Sequence, residues 1–154
     1  MLKVFIYALA VIFILSFILY LLVKSDEKED KQAYYWLRNF ETEVKGIRKT
    51  DVYTFINRCN AIQHRCNHDF YGNFQVKESI HGKGWMVEAE HLNSKVYWPS
   101  SSDCGNKYYP EYYLETEAEA QEEMLNVIEE LCHIVYLSKK RQWDLEAKRE
   151  DIVK

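Results

Sequence analysis

Along residues 4–23 the chain shows no alternation at all: the run is uncharged, with Ser16 as its one small hydroxyl and Tyr7 and Tyr20 set towards its two ends. As a helix rising ~1.5 Å per residue, a run of this length reaches roughly 30 Å, the hydrocarbon thickness of a bilayer. It has no polar stripe to turn towards water, and a domain of this size could hardly surround it. Residues 1–23 are therefore predicted to be a transmembrane anchor, meeting the lipid bilayer through residues 4–23. The start Met1-Leu2-Lys3 is that of an export signal, but the apolar run exceeds an ordinary h-region and no Ala-x-Ala-like site follows. An uncleaved signal-anchor is expected. Ala8, Ala10 and Ser16 are too scattered to form a small-x-x-x-small stripe, so tight pairing of this helix with another is not predicted.

At Lys24 the pattern inverts. Residues 24–32 are charged and polar and read as a short juxtamembrane connector, into which the anchor helix can run on. Residues 33–145 read as a globular domain and residues 146–154 as a polar tail. Tyr34, Leu37, Val44 and Ile47 recur at helical spacing, with Gly46 as the expected stop. A second helix is expected after Thr50 or Asp51 as cap, because Val52, Phe55, Ile56, Cys59, Ile62 and Cys66 make one apolar face.

The period then changes from helical to twofold. Phe74, Val76 and Ile80 alternate with Gln75, Lys77 and Ser79; Trp85, Val87 and Ala89 alternate with Met86, Glu88 and Glu90. Between them lies His81-Gly82-Lys83-Gly84, so a β-hairpin with one buried face is predicted. A third strand is expected over Lys95 to Trp98, ended by Pro99, and a fourth, short one around Tyr112 to Glu115. Thr116 and Glu119 form a capping box ahead of the apolar helical series Met124, Val127, Ile128, Leu131 and Val135. Beyond Ser138 this helix turns polar. Together these elements predict an α+β fold: one N-terminal transmembrane helix, then a small antiparallel sheet of three or four strands packed with two or three helices.

Charge narrows the partners. Of the 20 Lys+Arg only Lys3 precedes Lys24, and all 24 Asp+Glu follow it, so the domain is net negative. That is unsuited to a phosphate backbone, and no nucleic-acid partner is expected. For the side of the membrane two rules disagree. Lys24, Lys28, Lys31 and Arg38 outnumber Lys3, which favours a cytoplasmic domain. The four cysteines, Cys59, Cys66, Cys104 and Cys132, all lie in the domain behind an export-like segment, which fits an oxidising compartment. Compartment logic tips the reading to a periplasmic or extracytoplasmic domain. Asn93-Ser94-Lys95 is no glycosylation sequon, so a bacterial or phage inner membrane fits better than a glycosylated lumen.

Catalytic signatures are absent: the sequence holds no G-x-S-x-G, H-E-x-x-H, Walker or dinucleotide-binding motif. Cys59, His64, Cys66 and His68 are residue types that zinc favours, but there is no Cys-x-x-Cys pair, and a helix scatters the four around its axis. Neither metal nor cofactor is therefore expected, and no catalytic residue is assigned. Cys59 and Cys66, two turns apart, cannot bridge to each other within an intact helix. In an oxidising compartment one is expected to pair with Cys132 and the other with Cys104. The segment 97–113 concentrates amphipathic rings, and Tyr97, Tyr108, Tyr109 and Tyr113 are the candidate binding residues, since such rings supply contact area at small entropic cost.

The reading that follows is a membrane-anchored, non-enzymatic module whose domain binds or regulates another protein at the membrane. Small anchored regulators of bacterial or phage origin share this layout, without a shared motif. Two alternatives stand beside it: a thiol- or metal-dependent enzyme or redox protein, and an accessory subunit of a membrane complex.

Overall fold

A computed structural model describes residues 2–79, 84–92, 94–98 and 113–153. Its architecture is α+β, with an antiparallel three-stranded sheet packed against helices. Helix α1, Leu2–Arg38, runs through the apolar segment and the charged connector without a break. The chain then makes a π-helical turn, Phe40–Val44, and a last short helix α2, Lys45–Ile47. Helix α3 is Val52–Cys66, strands β1, β2 and β3 are Tyr71–Glu78, Trp85–His91 and Ser94–Trp98, and α4 is Glu117–Val153.

The core begins on α1 itself. Ala33, Leu37, Phe40 and Val44 are fully buried, a helical stripe that meets Phe55, Cys59 and Ile62 of α3 and Ile128, Cys132 and Val135 of α4. Tyr34, expected on this stripe, is one position off it and stays 41% exposed. Gly46 is not the stop; the helix continues to Ile47, and Asp51 begins the next one by accepting from the Thr54 N–H at 3.0 Å. The π turn follows from Asn39, whose φ of −102° leaves the α region and whose side chain donates to the Tyr35 carbonyl at 3.0 Å. It rotates Phe40 and Val44 together onto the core.

In the sheet the order is β1-β2-β3, with Val87 opposite Val76 on one side and Trp98 on the other. Of the expected alternation, Phe74 and Val76 are half-buried and Gln75 exposed on β1, but Ser79, expected on the exposed face, is buried just past its end, and on β2 the alternation fails. Val87 and Ala89 are buried, and so are Met86 and Glu88, because β2 is the central strand and both its faces are covered. Glu88 is tolerated there since Gln75 Nε2 donates to it at 2.9 Å and the ammonium groups of Lys77 and Lys95 lie 3.1 and 2.9 Å away. Burial alone would raise its pKa, but the two lysines outweigh burial and hold the carboxyl below the usual range. A bulge at Asn73, with φ 52°, shifts the register of β1 between Gly72 and Gln75.

The predicted hairpin is closed by the Ser79 N–H donating to the Gly84 carbonyl at 2.7 Å; Ile80 to Lys83 lie outside the described residues. Gly84, at φ 139°, has no room for a side chain, since a Cβ there would stand 2.6 Å from the Leu114 carbonyl oxygen. In place of a fourth strand there is an isolated bridge, in which Trp85 and Leu114 exchange N–H···O bonds of 2.8 and 2.9 Å.

Helix α4 starts as its capping box requires. The Thr116 hydroxyl accepts from the Glu119 N–H at 3.2 Å, and the Glu119 carboxylate accepts from the Thr116 N–H at 3.1 Å. Val127, Ile128 and Val135 are buried as expected, with Ala120, Leu125 and Cys132 added to the face. The polar stretch past Ser138 remains helical, carrying α4 through the predicted tail to Val153.

Because Phe40 has no exposed surface, Phe40→Ala should cost about 3–5 kcal/mol, whereas Thr116→Ala, which removes one cap bond, should cost about 1 kcal/mol. Denaturant unfolding of the full chain in detergent measures both.

Candidate functional site: a cleft beside the anchor helix

A cleft of about 570 Å³ lies between α1, α3 and the start of β1. Its position follows from how α3 is held. Arg65, near the end of α3, places its guanidinium 3.2 Å from Asp26, 2.6 Å from Glu29 and 3.3 Å from Asp30, all on the connector part of α1. Three acids that would otherwise read as solvated linker thereby form a clamp. Each pair is partly exposed and worth little alone; what the set supplies is register, fixing α3 antiparallel to α1.

Above the clamp, α1 contributes Gln32 and Trp36, α3 contributes Asn57, Asn60, Ala61 and His64, and the entry to β1 contributes Phe70 and Asn73. Trp36 is steadied by the Arg58 guanidinium, which lies 5.4 Å from its ring centroid, inside the roughly 6 Å reach of a cation–π contact. His64 meets the Phe70 ring edge-on at 5.5 Å. Two aromatic walls thus flank a floor of side-chain amides, Gln32, Asn57 and Asn60. Amides of this kind offer a donor and an acceptor each, which matches a peptide backbone. Glu29 is already committed to Arg65, and His64 has an aromatic neighbour rather than a nucleophile. The arrangement is suited to recognition; no nucleophile and base are brought together in it.

The remaining predicted residues fall elsewhere. Tyr97 lies on β3 opposite Glu88, and Tyr113 packs beside Gly84, both half-buried. They stand near the two roots of the segment 99–112, which leaves β3 opposite Val87 and returns opposite Trp85. Tyr108, Tyr109 and Cys104 lie outside the described residues.

The expected disulfides are corrected. Cys59, Cys66 and Cys132 are free thiols buried in the core. They do face inward, as their spacing predicted, but the Cys132 thiol donates to the Cys59 backbone carbonyl at 3.4 Å and accepts a long contact of 3.8 Å from Gln63 Nε2. The pKa of Cys59 is raised by its thiol neighbour Cys132 and by burial, and burial pushes that of Cys66 up to about 11. A reactive thiolate needs the opposite shift. His64 lines the cleft, His68 and Cys66 a separate recess with Lys139, and Cys59 lies in the core, so the four residues considered for zinc do not converge on one point. Among the described residues no group of three His, Cys, Asp or Glu side chains is placed to hold a metal ion.

No protein-family model, curated protein or solved structure matches the chain. Its function is therefore argued from the site alone. The cleft had no signature in the sequence, because Trp36, Asn60 and Phe70 lie on different stretches of the chain that the shared core and the Arg65 clamp bring together.

Folded protein at neutral pH should leave Cys59, Cys66 and Cys132 unmodified by a thiol reagent, with modification following global unfolding. Cys66 holds its proton in the fold to about 11, whereas an unfolded cysteine releases it near 9.0. Between those values the unfolded state binds fewer protons, so this contribution to stability is present below pH 9.0 and is lost as the pH rises through 11. Denaturation midpoints across that window check the sign.

Proposed function

We propose that this chain is a single-pass, membrane-anchored, non-enzymatic module whose domain binds another protein at the membrane. The observation that carries the anchor is the exposure of α1. From Leu9 to Val23 its apolar side chains touch nothing in the domain, with Phe13 74% and Leu19 61% exposed, while the same helix is long and apolar enough to cross a bilayer. An apolar surface of that extent has to be covered, and length and composition fit lipid. The cleft supports the binding role: its amides suit the backbone of an extended segment of a partner protein, and Trp36 and Phe70 suit an apolar side chain on it. The raised pKa values of Cys59 and Cys66 run against the thiol-enzyme alternative at those two residues.

On the side of the membrane, the free thiols of Cys59, Cys66 and Cys132 give the extracytoplasmic reading no support from disulfides and leave it the export-like start alone. The Lys and Arg excess on the domain flank remains, and supports a domain on the cytoplasmic face of a bacterial or phage-encoded inner-membrane protein.

Two outcomes test this. Leu15→Arg places a charge at mid-span, at a cost of about 2.5–3.5 kcal/mol, and should shift the protein out of the carbonate-resistant membrane fraction; protease added to spheroplasts should spare the wild-type domain. Retention of the variant would count against the span, and cleavage would reverse the side. A photocrosslinking residue in place of Asn60 should give a discrete protein adduct in cells, weakened by Trp36→Ala, while one in place of Tyr53, 76% exposed on α3, should not. Equal adducts from both positions would remove the cleft from the proposal.

A further inference from the structure

The hairpin's hydrogen bonds fix which way each backbone group of β1 points. The Ser79 N–H donates to the Gly84 carbonyl at 2.7 Å, and the register sets Lys77 opposite Met86 and Gln75 opposite Glu88. In an antiparallel pair, opposed residues alternate between those that exchange hydrogen bonds and those that do not. Counting by twos from Ser79, Lys77 and Gln75 turn their N–H and C=O groups to β2, and Val76 and Glu78 turn theirs away from it. Strand β2 obeys the same parity: Trp85, between Gly84 and Met86, exchanges its bonds with Leu114 on the other side.

Because β1 is the outer strand of the order β1-β2-β3, the groups that Val76 and Glu78 turn outward face no strand. Among the described residues they have no hydrogen-bond partner on that side. The same margin begins in the cleft. Gly72 and Asn73 are the cleft's strand wall, facing α1 and α3, and Gly72 lets the Phe70 ring lie against the strand, since a Cβ there would stand 2.8 Å from that ring. From Gly72 to Glu78 the edge runs for six residues, about 20 Å. An open edge of that length is a template for another chain. The bulge at Asn73 interrupts it only at the cleft end, and there the side-chain amides of Gln32, Asn57 and Asn60 stand ready for a backbone in place of strand groups.

We propose that an extended segment of the partner protein adds to the sheet as a strand beside β1, pairing its backbone with Val76 and Glu78 and carrying on past Asn73 into the cleft. This rests on the reading of the cleft as the place where a partner protein binds. Main-chain pairing supplies the hold and is indifferent to sequence; the side chain that reaches Trp36 and Phe70 supplies the choice of partner.

The edge is tested first without any substitution, by amide hydrogen exchange of the full chain in detergent micelles, read by NMR at two protein concentrations. The Val76 and Glu78 amides should exchange at least ~10-fold faster than that of Lys77. If all three exchange alike at both concentrations, the chain itself covers the edge and strand addition is overturned. Protection of Val76 and Glu78 that grows with concentration would assign the edge to a second copy and overturn the partner segment. The partner is then read in cells through the photocrosslinking residue at Asn60. Glu78→Pro removes an outward N–H and no bond to β2, so the chain should stay folded, its core thiols as shielded as in the wild type. The Asn60 adduct should fall about two- to tenfold, the weight of one backbone hydrogen bond, and Glu78→Ala should leave it unchanged. A photocrosslinker in place of the exposed Glu78, which keeps the backbone intact, should give an adduct of the same mass as that from Asn60. If folded Glu78→Pro gives the wild-type adduct, or the Glu78 crosslinker gives none of that mass, strand addition is overturned and the cleft stands. If Asn60 gives no adduct in the wild type, the cleft reading fails and strand addition with it.

Discussion

The domain's core is built on the same helix that forms the apolar N-terminal run. Ala33 and Leu37 are buried between α3 and α4 only ten or so residues after the last apolar side chain that touches nothing. Everything else depends on that sharing. Were the connector a free linker, Arg65 would have no row of acids to bind, and the wall of the cleft that Glu29 and Gln32 form would be lost. The stripe contributes the bulk of the stabilisation through burial, and the ion pairs, each weak in water, choose among the ways of packing that burial would otherwise allow.

How far the sequence revealed this depends on how local each signal is. Asp51 and the Thr116–Glu119 box are caps made within three residues, and both are found where the spacing put them. The alternating strands were legible for the same reason. Glu88 was misjudged as a solvent-facing residue because its acceptability depends on Lys77 and Lys95 from two other strands, and a single strand's period does not report what its neighbours bring. The π turn was hidden too: nothing in the spacing of Phe-Glu-Thr-Glu-Val announces the extra residue per turn that follows Asn39.

The cysteines separate two inferences that are easily fused. Helical spacing correctly turned Cys59 and Cys66 inward, but inward is a statement about polarity, whereas a bridge is a statement about two sulfur atoms and a compartment. In the core the thiols act as small apolar groups with one weak hydrogen bond. Site residues were legible least of all. Aromatic density drew attention to residues 97–113, while the cleft is assembled from residues with no shared sequence neighbourhood.

The unbroken course of α1 from Leu2 to Arg38 also makes it a shaft with a keyway. Successive residues of a helix are turned by about 100°, so the number of residues between Val23 and Ala33 decides the compass bearing of the cleft in the plane of the bilayer. One residue more or fewer between Val23 and Asp26, ahead of the clamp's acids, would leave the fold, the clamp's chemistry and the depth of the domain almost as they are, yet point the cleft at a different neighbour. The charged stretch therefore carries an azimuth as well as a charge.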